Sequence, residues 1–324
     1  MSSARAQRVL IVSLMKSGTH ILQELMVALG YGMTGSGVRL TPEILPEFSK
    51  EDRSRIARLG YEEEALAALE TSSEEQFTQA TDRAWEALVL SWERRLAQPL
   101  ASWYTQASLE TGFAAEVHRR ATGSAFAATP PGVCWVINQL DLKQVDGQFL
   151  REWSETGEPR IIFNYRDPRD MLLSFVNFLC GKTGRGFSNY NDLLPISAIL
   201  NSKATLEERL AYALADRSFP SLDDHRRMLW LLHHPHVCKT SFEELIGPRG
   251  GGSAETQAGA LVRVFDFLGI TGTRPEDVAG RLFNPEVFSF YRGQIGAWRE
   301  AFTPALERLA SDRFGEVLQA YGYE

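Results

Sequence analysis

The chain has 324 residues, 44% of them hydrophobic and 23% charged, which is an ordinary globular composition with enough length for a full core. The net charge of −7 argues against a nucleic-acid partner, because nucleic-acid binders neutralise many phosphates with clustered Lys and Arg. Three cysteines far apart in the sequence argue against a disulfide framework and favour a cytoplasmic location. No apolar run approaches the length of a membrane span, so no membrane partner is expected.

The first predicted elements form a β-turn-α unit. Residues 9–14 are an apolar run, typical of a strand that is buried on both faces. A turn at residues 16–19 follows, and then a helix with an apolar stripe that includes Ile21 and Leu25 and ends at Gly30.

Residues 33 to about 130 are rich in Glu, Ala and Arg and predict helices around 51–70 and 75–97. We interpret this segment as a helical insertion over the sheet edge, where α/β proteins commonly form the substrate pocket. The aromatic residues that suggest an apolar wall for a bulky acceptor are Trp85, Trp92, Trp103, Tyr104 and Phe113. Trp85 and Trp92 lie at helical spacing, which is also the pattern of a core stripe.

The rest of the chain alternates strands and helices. The predicted strands are at 133–137, 160–165 and 237–240, and the predicted helices start at 168, 205, 222, 254 and 304. This order predicts an α/β fold with a central, mostly parallel sheet flanked by helices. Because there is no internal repeat and no long linker, we predict a single domain over residues 1–324.

The turn Lys16-Ser17-Gly18-Thr19 is the first candidate site. A turn from a buried strand into a helix directs backbone N–H groups and the positive end of the helix dipole at one point, which attracts an anion. Gly18 lets the backbone approach closely, and Lys16 adds a full positive charge. Ser17 and Thr19 offer hydroxyl donors. The glycines of a P-loop are missing between residues 10 and 15, so a nucleoside triphosphate kinase is the weaker interpretation.

A second candidate site contains Arg166 and Ser174. Arg166 is expected at the end of a strand and Ser174 on the second turn of the following helix, so a guanidinium and a hydroxyl can meet at one phosphate. The alternative is a capping network, in which Arg166 and Arg169 pair with Asp167 and Asp170.

These motifs resemble the sulfotransferases that use PAPS (3′-phosphoadenosine 5′-phosphosulfate). The resemblance rests on the Lys-Ser-Gly-Thr turn, the Arg-Asp-Pro-Arg-Asp…Ser segment and Arg292-Gly293-x-x-Gly296-x-Trp298, which follow the family's order with similar spacing. It implies a P-loop-kinase-like sulfotransferase fold, PAPS as the donor, 3′,5′-ADP as the product, and no metal.

The resemblance also implies roles for individual residues. Lys16 would stabilise charge on the bridging oxygen as the donor bond breaks. The residues that would hold the 5′-phosphosulfate are Lys16, Ser17, Gly18 and Thr19, with His20 beside them. Those that would bind the 3′-phosphate are Arg166, Ser174, Arg292 and Gly293, and Phe242 would lie near the adenine.

The general base departs from the family's pattern. Many members have a histidine after the strand that precedes the Arg-Asp-Pro segment, whereas this sequence has Gln139, and a glutamine cannot accept a proton from an alcohol. Asp141 is the first substitute and His20 the second. Glu116 or His118, from the insertion, is the third.

Two other departures affect the adenine site and the oligomeric state. His20 and Ile21 replace a Thr and a Trp, which removes a side chain that would stack on the adenine. The family's dimer segment starts here at Arg299, with Pro304 in place of Val and Arg308 in place of Glu. Proline lacks a backbone donor and the charge is reversed, so the family-type dimer is not expected.

Two further patterns compete with this interpretation. Residues 233–238 contain three histidines and Cys238, but adjacent histidines point apart and Pro235 distorts the segment, so no metal site is expected. The glycine-rich residues 249–253 would either cradle a phosphate or, more commonly for such a pattern, form a mobile surface loop that ends in a helix cap.

The sequence thus predicts an enzyme that moves a sulfuryl group from PAPS to a hydroxyl of a small or medium-sized acceptor. Its Ala-, Arg-, Leu- and Gly-rich usage suggests a bacterial source and natural product biosynthesis, with a specialised metabolite as acceptor. The alternatives are a nucleotide kinase-like phosphotransferase and a non-catalytic 3′-phosphoadenylate-binding protein.

Overall fold

A central parallel sheet organises the protein. The computed structural model describes residues 7–35, 44–98, 112–181, 193–286 and 292–323. Within these ranges five parallel strands are hydrogen-bonded in the order β2-β3-β1-β4-β5. The strands are β1 (Val9–Ser13), β2 (Gly32–Thr34), β3 (Val133–Ile137), β4 (Arg160–Tyr165) and β5 (Val237–Ser241). In the pair of β2 and β3, Gly32 lies opposite Val133. The predicted α/β fold with a parallel sheet flanked by helices is confirmed.

Helices make up most of the remaining described chain. Before β4 they are α1 (Thr19–Ala28), α2 (Lys50–Gly60), α3 (Glu63–Glu70), α4 (Glu74–Arg95), α5 (Gly112–Ala121) and α6 (Gly147–Thr156). Between β4 and β5 they are α7 (Pro168–Leu179), α8 (Leu194–Asn201), α9 (Leu206–Ala215), α10 (Asp224–Arg227) and α11 (Leu229–His233). After β5 they are α12 (Phe242–Leu245), α13 (Ala254–Leu268), α14 (Pro275–Ala279), α15 (Trp298–Ala301) and α16 (Pro304–Tyr321).

The helix ends follow the local chemistry that the sequence indicates. Asp167 caps α7 by accepting a hydrogen bond from Arg169 N, and Pro168 occupies the first helical position. Ser253 caps α13, which ends at Gly269 in the left-handed conformation with φ 63°. Strong caps therefore allow helix boundaries to be predicted within a residue or two.

The sequence prediction missed several elements and merged others. The strand β2 has only three residues, too few for a periodic signal, and the helices that were not predicted are α5, α6, α8, α12, α14 and α15. The helix predicted around 51–70 is two helices, α2 and α3, and the one predicted from 222 is also two, α10 and α11.

The chain divides into two compact units. The first comprises Met1–Ile11 and Met26–Ile161, and the second comprises Val12–Leu25 and Ile162–Glu324. The residues predicted to bind the nucleotide all belong to the second unit, whereas Asp141 belongs to the first. The single-domain organisation stays a prediction.

An aromatic cluster forms the core of the first unit. Trp92 is fully buried, and its ring packs edge-to-face on Phe126 with ring centroids 4.8 Å apart. Trp85 is 8% exposed and packs in the same manner on Trp135 of β3. These two tryptophans are therefore core residues rather than a pocket wall, while Trp103 and Tyr104 lie outside the described residues.

Arg95, at the end of α4, is a buried cation that ties this core together. Its Nε donates to Asp146 at 2.6 Å, and its Nη1 donates to the carbonyls of Ala121 and Ser124. Its guanidinium also lies over the Trp92 ring at 3.8 Å. A buried cation with this many acceptors connects α4, α5 and the start of α6.

No helix in the described ranges is both long enough and apolar enough to cross a bilayer.

Replacing Arg95 by methionine is expected to lower the free energy of unfolding by about 3 kcal/mol, because Asp146 and two carbonyls lose their donor. Chemical denaturation measures this change. Arg94→Met, at the neighbouring exposed position of the same helix, is the control and should stay within about 0.5 kcal/mol of the parent. Equal effects of the two substitutions would show that the hydrogen bonds of Arg95 do not stabilise the fold.

Candidate functional site

The turn between β1 and α1 has an unusual backbone. Lys16 has φ 63° and Gly18 has φ 86°, so two of its residues are left-handed. For a lysine this conformation costs about 1–3 kcal/mol, and such strain clusters at functional sites. Ser17 N donates to Leu14 O at 3.0 Å and Ile21 N donates to Gly18 O at 2.9 Å, which closes the turn onto the start of the ten-residue helix α1.

A buried amide holds this turn from below. Asn164 of β4 is fully buried, and its Nδ2 donates to Ser17 O at 2.6 Å and to Ser13 Oγ at 3.3 Å. Thr240 of β5 donates to Asn164 Oδ1 at 3.1 Å, and the Ser13 and Thr19 hydroxyls share a hydrogen bond of 2.9 Å. These hydrogen bonds were not predicted from the sequence, although polar residues inside otherwise apolar strands could have indicated them.

Gly18 is needed because an aromatic ring lies against it. A Cβ at this position would lie 2.7 Å from Phe242 Cδ2 and 3.1 Å from Ile21 Cδ1. The structure thus brings Phe242, predicted to lie near the adenine, into contact with the predicted phosphosulfate turn. Any larger residue at position 18 would separate them.

Lys16 is partly buried beside a second cation. Its Nζ lies 4.6 Å from the centroid of the Phe178 ring. Burial, and after it the charge of Arg166, lower the pKa of Lys16 to about 7. An anion bound here would oppose both effects.

Arg166 is buried, and its guanidinium is held by backbone and ring contacts. Its Nη2 donates to Gln294 O at 2.8 Å and its Nη1 to Lys16 O at 3.4 Å. The guanidinium carbon lies 3.9 Å from the centroid of the Phe242 ring. Lys16, Gly18, Arg166 and Phe242 therefore form one connected cluster.

Two buried donors of this cluster have no hydrogen-bond partner among the described residues. They are Ser17 Oγ, in the turn, and Arg166 Nε. Other buried donors of the described residues, among them Trp92 Nε1 and Arg95 Nη2, also have no partner, so this feature points to a ligand only together with the two neighbouring cations. Ser17 was predicted as a hydroxyl donor from the sequence, and its hydroxyl has no partner among the described residues.

The alternative capping network is present in the structure, with both of its ion pairs. Arg169 pairs bidentately with Asp167, with Nη2 to Oδ2 at 2.8 Å. Asp170 pairs with Arg166 at 3.7 Å and also accepts from Gly296 N at 2.7 Å and Trp298 N at 2.9 Å. The Arg-Asp-Pro-Arg-Asp motif and the Gly-x-Trp motif thus interlock through Asp170.

The remaining predicted phosphate ligands are near these motifs but not all are turned inward. Ser174 is buried on α7, 8% exposed, and Gly293 has φ 61°. The Arg292 side chain is half-exposed, and its Nη1 lies 3.1 Å from Glu300 Oε2. An exposed ion pair of this kind contributes only about 0–1 kcal/mol, so a phosphate could displace Glu300.

The glycine-rich residues 249–253 pack against the Gly293 segment. Ile295 N donates to Gly250 O at 3.0 Å, and Gln294 Nε2 donates to Arg249 O at 2.9 Å. A Cβ on Gly250 would lie 2.7 Å from Gly293 O. The loop ends in the Ser253 cap of α13, as the sequence favoured, and it also packs against the backbone that Arg166 binds.

The candidate bases lie in different units. His20 belongs to the second unit, and its Nδ1 is 3.2 Å from Gln23 Oε1. Asp141 belongs to the first unit, and its Oδ1 accepts from Lys143 N at 2.9 Å. His118 Nδ1 is 2.8 Å from Ser91 Oγ, and burial lowers the pKa of this histidine.

The histidine-rich residues 233–238 do not form a ligand set in the structure. His234 and His236 lie with ring centroids 5.6 Å apart. Within the described ranges, no group of three or more His, Cys, Asp or Glu side chains is arranged to hold a metal ion.

No protein-family model matches the chain, and the search of curated proteins found no match. Among solved structures, the chain is similar to the mouse sulfotransferase SULT7A1 complexed with PAP, at 16% sequence identity and a TM-score of 0.48. The match covers 97% of this chain and 84% of the mouse protein. A likeness this weak carries no argument about function, which depends on the site's own geometry.

Lys16 is expected to titrate near pH 7, several units below an ordinary lysine, because burial and Arg166 disfavour its ammonium form. Only the neutral amine reacts with acylating reagents, so the labelling rate of the Lys16 peptide, followed by mass spectrometry against pH, gives the midpoint. The denatured chain is the control, with a midpoint near 10.4. A midpoint above about 9 in the folded protein would contradict a Lys16 side chain that is buried beside Arg166.

Proposed function

We propose that this protein is a sulfotransferase that moves a sulfuryl group from PAPS to a hydroxyl of a small or medium-sized acceptor. The observation that carries the proposal is the cluster of Lys16 and Arg166 with two buried, unpartnered donors, Ser17 Oγ and Arg166 Nε. An anionic group at each of the two cations would offset their repulsion and satisfy the two donors.

The arrangement favours a ligand with anionic groups at two separate places. The Lys16 turn and the start of α1 offer one position. Arg166, Ser174, Arg292 and the Gly293 backbone offer the other. A nucleotide with phosphates on both its 5′ and 3′ oxygens suits this division, whereas a triphosphate would need the long glycine-rich loop that is absent before Lys16.

In this proposal PAPS supplies an activated sulfuryl group on its 5′-phosphate. Lys16, Ser17, Gly18 and Thr19 would hold the phosphosulfate end, and the Lys16 ammonium would neutralise the charge that develops on the bridging oxygen. This role needs the protonated lysine, and a bound anion favours that form by raising the lysine pKa. The charge compensation would thus come from the chain itself.

Arg166 would contribute a donor rather than a freely moving charge. Its Nη1 and Nη2 each donate one hydrogen bond, to Lys16 O and Gln294 O, and Nε has no partner among the described residues, so Nε is one donor that a ligand could use. Phe242 carries the guanidinium on one ring face. Only its other face would be left for the adenine.

The proton of the acceptor hydroxyl would go to Asp141 or, as the second choice, to His20. Asp141 follows β3 in the chain, as the histidine follows the corresponding strand in the family that the sequence resembles. With His20 Nδ1 donating to Gln23 Oε1, Nε2 would be its basic nitrogen. Gln139 at the histidine position also motivates the alternative of a non-catalytic nucleotide-binding protein.

The acceptor and the location are proposed on sequence grounds. A specialised metabolite with a hydroxyl group is the proposed acceptor, and the cytoplasm the proposed location, since only three dispersed cysteines occur. A family-type dimer is not part of the proposal, because Pro304 and Arg308 alter its segment.

Calorimetry with 3′,5′-ADP and with ATP·Mg tests the nucleotide site. We expect 3′,5′-ADP to bind at least about tenfold more tightly than ATP·Mg, because only 3′,5′-ADP has a phosphate for each of the two anion-binding positions. Lys16→Met should lower sulfuryl transfer from PAPS by about 10²–10³-fold, since it removes the donor at the leaving group. Lys203→Met is the control, because Lys203 lies over the Tyr212 ring in the same unit.

No binding of 3′,5′-ADP at millimolar concentration would overturn the proposal. Tighter binding of ATP·Mg would favour the kinase-like phosphotransferase.

Transfer of labelled sulfate to a panel of phenols, sugars and alcohols identifies the base. Asp141→Asn should lower turnover about 10²-fold or more without changing 3′,5′-ADP affinity, while His20→Gln changes turnover by less than about threefold. The reverse pattern would assign the role to His20. If the wild-type protein binds 3′,5′-ADP but turns over no acceptor, the non-catalytic alternative is favoured.

A further inference from the structure

A single peptide group at the end of β4 is pinned from both sides. It joins Arg166 to Asp167. Its carbonyl, Arg166 O, accepts a hydrogen bond of 2.9 Å from His225 Nε2. Its N–H, on Asp167, donates to Glu243 Oε1 at 3.1 Å. Arg166 contributes the carbonyl of this peptide. The orientation of the peptide therefore fixes the backbone from which the Arg166 side chain extends.

Two tyrosines near the end of α16 secure the two side chains that pin the peptide. Tyr323 OH donates to Glu243 Oε2 at 2.7 Å. Tyr321 OH donates to His225 O at 2.8 Å, and its ring packs edge-to-face on the His225 ring with centroids 5.4 Å apart. Each pinning side chain is thus itself held in place.

The termination of α16 directs Tyr323 toward Glu243. Gly322 adopts φ 77°, and Tyr323 N donates to Leu318 O at 2.8 Å, which is the pattern of a Schellman motif. The chain turns back at Gly322, so the phenol of Tyr323 reaches Glu243 of α12. The glycine between the two tyrosines therefore sets the direction of the Tyr323 side chain.

Glu243 is well placed to transmit the effect. It follows Phe242, the ring on which the Arg166 guanidinium rests, so two consecutive residues hold the arginine. Phe242 contacts the guanidinium, and Glu243 binds the peptide group that follows Arg166. Burial raises the pKa of Glu243, while the bonds from Tyr323 and Asp167 N stabilise its carboxylate.

We propose that Tyr323 is a positioning residue for Arg166, acting through Glu243, and that its phenol tunes the affinity for the phosphate that Arg166 holds. The identity of that ligand, the 3′-phosphate of an adenine nucleotide, rests on the proposed function. The positioning itself rests on the chain of hydrogen bonds from Tyr323 through Glu243 to the peptide after Arg166.

Tyr323→Phe tests the inference, because it removes the hydroxyl and keeps the ring. We expect about fivefold weaker binding of 3′,5′-ADP by calorimetry, with binding of 5′-AMP, which has no 3′-phosphate, within twofold of the parent. The Asp167 amide resonance, observed by NMR without nucleotide, should also shift, because Glu243 loses a donor. The thermal midpoint serves as the measure of folding.

The matched control is Tyr212→Phe, which removes another phenol-to-carboxylate bond, to Asp216 at 3.0 Å, in the same unit. It should leave both nucleotide affinities and the Asp167 resonance unchanged. An unchanged Asp167 resonance and an unchanged 3′,5′-ADP affinity in Tyr323→Phe would overturn the proposal. Equal losses for both nucleotides with a lower thermal midpoint would also overturn it, since that is a structural effect.

If the wild-type protein binds neither nucleotide, the proposed function fails, but the positioning of Arg166 by Tyr323 can still be tested. In that case the Asp167 resonance alone distinguishes the outcomes: a shift in Tyr323→Phe supports the positioning role, and no shift refutes it.

Discussion

The burial of two cations, Lys16 and Arg166, in one cluster is the constraint on which the site depends. Two cations lie close together where burial makes each of them costly, and the lysine responds with a pKa lowered to about 7. The fold keeps them there by other contacts: a left-handed Lys16 backbone, the Phe178 ring beneath its ammonium and the Phe242 ring beneath the guanidinium. Binding of an anion, which the proposed function requires, would offset the charge of the two cations and so contribute to affinity.

The positions of these cations are fixed by other residues of the fold. Asn164 holds the Lys16 turn through Ser17 O, and Asp170 holds the Gly296 and Trp298 amides beside Arg166. The glycine loop at Gly250 supports the same backbone, since a side chain there would displace Gly293. Rigid support matters here because guanidinium–phosphate hydrogen bonds depend strongly on geometry.

Local patterns in the sequence were sufficient for most of the architecture. The buried apolar runs indicated β1, β3, β4 and β5, and the caps at Asp167 and Ser253 located helix starts. The three-residue strand β2 was not predicted, because the alternation of a strand cannot be recognised over so short a segment. The spacing of Trp85 and Trp92 does not distinguish a core from a pocket, because a core stripe and a pocket wall both use one apolar face of a helix. The structure places the two tryptophans in the core.

The sequence by itself determined which residues could form an anion site: the Lys16 turn, the Arg166 segment and the Arg292-Gly293 motif, because strand-to-helix turns and guanidinium groups have local chemistry that favours anions. Only the tertiary structure decided how they are held. Asp170 reaches Trp298 across 128 residues, and Glu243 reaches Asp167 across 76. No local period records such pairings, because they arise when distant elements pack together, and the partners of Asp170 and the role of Tyr323 are properties of the folded chain alone.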